Sequence, residues 1–282
     1  MAFTYSKKYS KYVAGKLQAK VGFLKALIND FGLPNAHLDG AIAVNLWNSM
    51  AASAIVDGTM LTQGAANTHN DLTFVNQAVP IVFMPSAENS IEANDMLKAG
   101  KKAADALWTA AQTAVITGML AATASGGSAS ISSDNFGDPT AIADVGKVDV
   151  GIATIDASVG DRSDMFIAMP PNAYGNWTTL RNALIGGALQ IGADGYKQYQ
   201  GINLHSVGPT GSPAGWGGTT TGHTACIIGG RDMYACAFTP NGAYMHGGKP
   251  LFASDGTIKF IMQGPFAHGK VDENLFYELL NP

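Results

Sequence analysis

The sequence predicts an α+β fold with helices and sheets intermixed, and three observations lead there. Residues 90–123 carry the longest helical periodicity in the chain. Residues 54–63, 70–84 and 257–266 are rich in β-branched and aromatic residues, and nothing follows the regular βαβ alternation of a dinucleotide-binding fold. A chain of 282 residues fits one large domain or two modest ones, and either can bury a substantial core.

Val13, Leu17, Val21, Leu24, Ile28 and Phe31 recur at spacings of three and four, with lysines around the remaining surface, and predict an amphipathic helix over residues 7–31. Gly32 and Pro34 stop it. Such a helix is either an arm lying on the body or on a neighbour, or the first helix of the core. AIVDGTMLTQ (54–63) and NDLTFVNQAVPIVFM (70–84) flank the turn-rich QGAANTHND, which predicts a long β-hairpin with its tip near residues 63–71. An isolated hairpin is marginal in water, so this one needs cover that a partner subunit could supply.

Asn89 and Glu92 form a capping-box pattern ahead of a helix over residues 90–123, about 50 Å long. Its inner face is Ala104, Trp108, Ala111, Val115, Met119 and Ala122, with Leu107 beside them. The Gly/Ser-rich run at 123–140 reads as a boundary or mobile loop. Ile142, Val145, Val148, Ile152, Ile155 and Val159 predict a second helix, since their three-and-four spacing outlasts the competing strand pattern. DMFIAMP (164–170) is then a short strand, and Pro171 opens a helix through about Ile185. GINLHSV (201–207), TACIIG, DMYACAF and TIKFIMQGPF (257–266) are further strands, with turns at Asn241-Gly242 and Asp255-Gly256.

Charge is split along the chain. The first 29 residues hold Lys7, Lys8, Lys11, Lys16, Lys20 and Lys25 with no acid, whereas residues 30–97 hold Asp30, Asp39, Asp57, Asp71, Glu88, Glu92 and Asp95 with no lysine or arginine. These segments carry +6 and −7 within a net charge of −4. Opposite potentials steer association and fix register, so the split suggests complementary surfaces meeting between copies. Only 13% of residues are charged, well below the roughly 25% of an average domain. A surface so poor in charge is tolerable when partners cover much of it. The mild acidity argues against a dedicated nucleic-acid binder, no apolar run is long enough to span a membrane, and nothing at the N-terminus marks the chain for secretion. Cys226 and Cys236 are too few for a disulfide framework and read as reduced, buried thiols.

No motif identifies an active site. His37, His69, His205, His223, His246 and His268 show no metal-ligand spacing. GGTTTGHT (217–224) has histidine where a phosphate loop needs its lysine, and reads as a flexible surface loop. GGSAS (126–130) falls short of a nucleophile elbow. The carboxylate pairs Asp161/Asp164 and Asp272/Glu273 read as turn or cap residues, and the Asn176-Trp177-Thr178 sequon means nothing without a secretory route. No catalytic, cofactor-binding or metal residues are assigned, and no cofactor is expected. An enzymatic reading remains in the form of a soluble hydrolase using His205 or His223.

The order of elements is more informative than any motif. A basic arm, a long hairpin, a long helix, a loop and a second helix, followed by DMFIAMPPNAYGNWTTL (164–180), GADGYKQYQGINLHSV (192–207), HTACIIGGRDMYACAF (223–238) and terminal strands, resembles the major capsid protein of tailed bacteriophages with its HK97-like fold. The resemblance implies an N-terminal arm at 1–35, an extended E-loop hairpin at 45–85, a peripheral domain from 36–44, 86–150 with its long spine helix, and 240–282, and an axial domain at 151–239. It also implies a non-enzymatic protein that self-assembles into hexamers and pentamers of an icosahedral shell around double-stranded DNA, in the virion, after assembly in the host cytoplasm. Implied partners are the chain itself, a separate scaffolding protein because no charged helical extension precedes the arm, a portal, a decoration protein, and DNA through non-specific contacts.

In the crosslinking member of that family an E-loop lysine forms an isopeptide bond to an asparagine of another subunit. Residues 26–97 contain no lysine here, so covalent chainmail is expected to be absent. Candidate inter-subunit contacts are Lys7, Lys8, Lys11, Lys16, Lys20 and Lys25 of the arm against Asp57, Asp71, Glu88 and Glu92, although the lysines could equally face packaged DNA. An encapsulin-type shell enclosing enzymes shares the fold and is the nearest alternative.

Overall fold

A computed structural model describes residues 15–16, 22–30, 41–47, 67–83, 93–122, 124, 126–185, 189–208, 213–238, 244–245, 251–252 and 258–282. Gly15 and Lys16 are helical, but the helix expected to run to residue 31 does not reach it. Gly22 is fully extended (φ 161°, ψ −173°), and a single 3-10 turn at Phe23–Ala26 leads into strand β1 (Ile28–Asp30). Phe23, Leu24 and Leu27 are all buried, and β1 lies parallel to residues 235–237. Tertiary burial and a waiting strand edge override helical spacing here, because propensity is worth only tenths of a kcal/mol per residue.

The hairpin is also placed differently. Strand β2 (Ala41–Trp47) pairs antiparallel with the first part of β3 (Asn67–Phe83), Ala41 opposite Thr73 and Trp47 opposite Asn67. The pairing thus begins ahead of residue 45, and residues 67–71, expected in the tip, are strand. Residues 54–63 lie outside the described residues.

Helix α1 (Ala93–Leu120) buries Ala104, Leu107, Trp108, Ala111, Val115 and Met119, as the spacing predicts. Thr109, Thr113 and Thr117 each donate a hydroxyl hydrogen bond to the carbonyl four residues back. The next stretch is anchored where a mobile loop was expected. Strand β4 (Ser128–Ser130) pairs with residues 278–280, Gly126 N–H donates to the Phe276 carbonyl, and Ile131, Asn135 and Phe136 are buried. Helix α2 (Ile142–Val159) follows, then β5 (Met165–Met169), α3 (Pro171–Ile185), β6 (Gln190–Ile191), β7 (Lys197–Tyr199) and β8 (Ile202–Ser206). Each matches an expected element except the short β6–β7 pair.

Strands β9 (Thr224–Gly230) and β10 (Tyr234–Phe238) do not pair with each other, although the sequence presents them as a pair. Between them the 3-10 turn Arg231–Met233 carries the chain from one sheet to the other. Short strands β11 (Tyr244–Met245) and β12 (Leu251–Phe252) precede β13 (Ile258–Lys270) and β14 (Phe276–Leu280).

The described strands form two sheets. The first runs β1-β10-β13-β3-β2, with β11 and β12 also on β13; the second runs β4-β14-β9-β5-β8-β7-β6. The second sheet lies between two cores, and period-two alternation divides its side chains between them. Phe166, Ala168, Ile227 and Phe276 face a core shared with α1, β10 and the Phe23–Leu27 segment. Met165, Ile167, Met169, Ile228, Tyr277 and Leu279 face the core under α2 and α3. Strands covered on both faces read as unbroken apolar runs, which is why DMFIAMP and TACIIG show no polar alternation. The second sheet draws on residues 128–130 and 276–280, stretches that the sequence reading groups with the peripheral domain.

Candidate functional site

Of the candidate inter-subunit contacts, the structure describes three. Lys16 is exposed in the helical Gly15–Lys16 pair, Lys25 is exposed on the Phe23–Ala26 turn, and Asp71 sits in β3 opposite Ala43 of β2. Lys7, Lys8, Lys11, Lys20, Asp57, Glu88 and Glu92 lie outside the described residues. The structure therefore places one candidate acid on the hairpin ladder and two candidate lysines ahead of β1.

The segment Gly22–Asp30 bridges both sheets. Its strand β1 adds to β10, while Phe23 reaches across to the second sheet, with ring centroids 5.3 Å from Phe166 and 6.1 Å from His205. The Cys236 thiol donates to the Leu24 carbonyl at 3.6 Å. Beside this seam lies a cleft of about 320 Å³ lined in part by Lys25, Asp164, Asp194, Tyr196, His205 and Arg231.

Among the described residues, the two histidines of the hydrolase reading lack a catalytic arrangement. His205 is 4% exposed, lies tilted with its ring centroid 4.7 Å from that of Tyr196, and has no hydrogen-bond partner at either ring nitrogen among the described residues. Burial lowers its pKa from 6.5 to about 4, against a smaller opposing pull from Asp194. His223 donates from Nδ1 to the Gly217 carbonyl at 2.8 Å. That bond is one of several that pin the GGTTTGHT loop, expected to be flexible. Asn281 donates its side-chain N–H to the Gly218 carbonyl and its main-chain N–H to His223, and Gly222 donates to the Asn281 carbonyl. Asn135 also donates to the Gly218 carbonyl, and its own N–H donates to Asn281 Oδ1 at 2.9 Å. The loop runs into a strand and turns a carbonyl inward, so it offers no helix N-terminus to a phosphate.

Asp161 and Asp272 cap 3-10 turns by accepting from Ser163 N and Asn274 N, both at 2.9 Å, as their turn reading expects. Cys226 and Cys236 are free and buried, and burial pushes both thiols up. Among the described residues, no cluster of three or more His, Cys, Asp or Glu side chains fits a metal ion, and no helix is long and apolar enough to cross a membrane.

What the structure does assemble is a two-sheet fold with the β2–β3 ladder at one edge of the first sheet, and solved structures are similar to it overall. The capsid of an empty GTA particle matches 91% of this chain and 88% of its own at 12% identity and a TM-score of 0.60. The capsid of cyanophage P-SCSP1u matches 93% and 89% at 13% identity and 0.55, and the mature capsid of bacteriophage PhiM1 matches 93% and 87% at 10% identity and 0.57. The chain has the HK97-like capsid fold. At such identities the likeness is one of fold. No protein-family model matches the sequence, and no curated protein does. Within the HK97-like capsid fold, the sequence reading found the long helix, the second strand of its hairpin and the strand-Pro-Pro-helix unit. It missed the Phe23–His205 seam and the Asn135–Asn281 network, because both join residues far apart in sequence and neither leaves a local pattern.

Proposed function

We propose that this chain is the major capsid protein of a tailed bacteriophage, assembling as hexamers and pentamers into an icosahedral shell around double-stranded DNA. The observation that carries the reading is the match of nine-tenths of the chain to capsid structures. In this reading the protein has a structural role and no catalytic one. Residues 1–35 form the arm and 45–85 the E-loop, residues 36–44, 86–150 and 240–282 form the peripheral domain with α1 as its spine, and residues 151–239 form the axial domain that gathers at capsomer axes. The shell is built in the host cytoplasm with a separate scaffolding protein and carries a portal and a decoration protein; the DNA contacts are non-specific.

Electron microscopy of the purified chain, expressed alone and with candidate scaffolding protein, is the test. Capsomers or shells are the expected result, and a monodisperse small oligomer under both conditions overturns the reading. Co-purification of enzyme cargo with empty shells would replace DNA by the encapsulin-type content. The arm lysines and the acids of residues 30–97 are placed at subunit boundaries by this reading, so assembly of the unaltered chain should weaken as salt rises, and Lys16→Glu with Lys20→Glu should impair assembly at low salt. Unchanged assembly from 0.05 to 0.5 M salt (the Debye length falling roughly from 14 to 4 Å) would remove that contact from the account.

A further inference from the structure

His205 is a buried polar group whose environment nothing in shell assembly explains. Its ring is 4% exposed, neither nitrogen has a partner, and it is held between Tyr196 of the loop before β7 and Phe23 of the segment that bridges the sheets. The charged and titratable groups lining the cleft beside it are Lys25 from the 3-10 turn, Asp164 ahead of β5, Asp194 and Tyr196 ahead of β7, and Arg231 after β9. Asp194, the carboxylate that acts on His205 electrostatically, is already engaged: Oδ1 accepts from Tyr196 N at 3.2 Å and Oδ2 from Asn203 Nδ2 at 2.6 Å. An imidazolium formed at this position has two N–H donors and no acceptor in place. It must open a path to water or break the Asp194 turn.

We propose that the Phe23–His205 contact is an acid-released latch: protonation of His205 displaces the Phe23 corner, and with it the Gly22–Asp30 segment loosens from the body. The energetic direction follows from burial. The closed state binds the proton less well than an open, hydrated one, so closure is complete above about pH 6.5 and weakens as pH falls toward 4. One proton linked to opening changes the open-to-closed ratio by at most about tenfold per pH unit. The thiols supply an internal gauge. Cys236 is held beneath Leu24 of the latch segment, whereas Cys226 packs in the other core under α2 and α3.

The test is labelling of the full chain with a dipyridyl disulfide, which stays reactive toward thiols in acid, read separately for the two cysteines by peptide mass. The expected result is that Cys236 labels faster relative to Cys226 as pH falls from 6.5 to 4, rising up to about tenfold per unit, and that His205→Leu abolishes the rise. His268, also lowered by burial and opposite Cys236 in the β10–β13 register, is the competing source. A rise that persists in His205→Leu overturns the latch, as does equal labelling of both cysteines. Should His205→Leu fail to fold, imidazole NMR of the unaltered chain decides. Titration of His205 well below 6.5 together with Cys236 exposure supports the latch, and titration near 6.5 with Cys236 still protected refutes it.

Discussion

Strands β5 and β9 send alternate side chains into two different cores, whereas β2 and residues 67–73 of β3 hydrogen-bond only to each other among the described residues. The first region is stabilised by burial on both faces and is complete within one chain. The second is a two-stranded ladder rooted where β3 joins β13, with Leu72 buried beside Gly269 at that root. A two-stranded ribbon has little to hold it in water, so in the proposed capsid reading it is a reach toward neighbours. In that reading stability belongs to the second sheet and association to the ladder.

The sharpest way to break that division is Phe166→Ala. Its ring is fully buried against Phe23 at the meeting of both sheets, and its loss should cost about 3–5 kcal/mol in urea unfolding of the subunit. A cost below about 1 kcal/mol would mean that the shared core is not the source of stability. Next in size is Asn281→Ala, which strands the Asn135 N–H and leaves the Gly218 carbonyl with only the Asn135 side-chain donor of the two described. Leaving such groups unmet costs about 1–3 kcal/mol, again on the subunit itself. Proline at Val44 or Asn45 tests the other half. In an antiparallel pair one of two adjacent residues points its N–H at the partner, so one of these variants interrupts the ladder. Subunit stability should fall by less than about 1 kcal/mol while shell yield collapses, and unfolding as deep as that of Phe166→Ala would erase the distinction. No effect is expected in the last case: mature shells boiled in SDS should run as single subunits, because residues 26–97 lack lysine. Ladders of crosslinked rings on the gel would contradict this.

Elements whose stability is local were legible in the sequence. Residues 142–159 read as helix because Val145, Val148, Ile152 and Ile155 all turn to one core, and residues 171–185 read as helix because proline can occupy its first turn. Elements set by distant partners were misread. Ile28 continues a helical stripe, yet becomes strand because Ala235 lies opposite it. TACIIGG and YACAF follow one another closely in sequence, yet each finds its neighbours elsewhere, in β5 and β14 or in β1 and β13. The Gly/Ser content of residues 123–140 suggested mobility, but hydrogen bonds from the far end of the chain hold them. The candidate contacts were legible as charge alone. Charge marks which surfaces attract, while the positions that meet depend on a second copy.

Strand β14 lies between β4 and β9, and Glu278 sits opposite both Ser128 and Ile227. The place between edge strand β4 and the rest of the second sheet is thus filled by residues 276–280, which leave the ribosome well after every other strand of that sheet. Until they emerge, β4 and β9 have no strand between them, and the two halves of the inner core face an open slot. Closure of this body is accordingly a late, long-range event of the slow kind. A nascent or prematurely terminated chain cannot close this body, so in the proposed capsid reading synthesis itself acts as a gate that keeps incomplete subunits out of the particle.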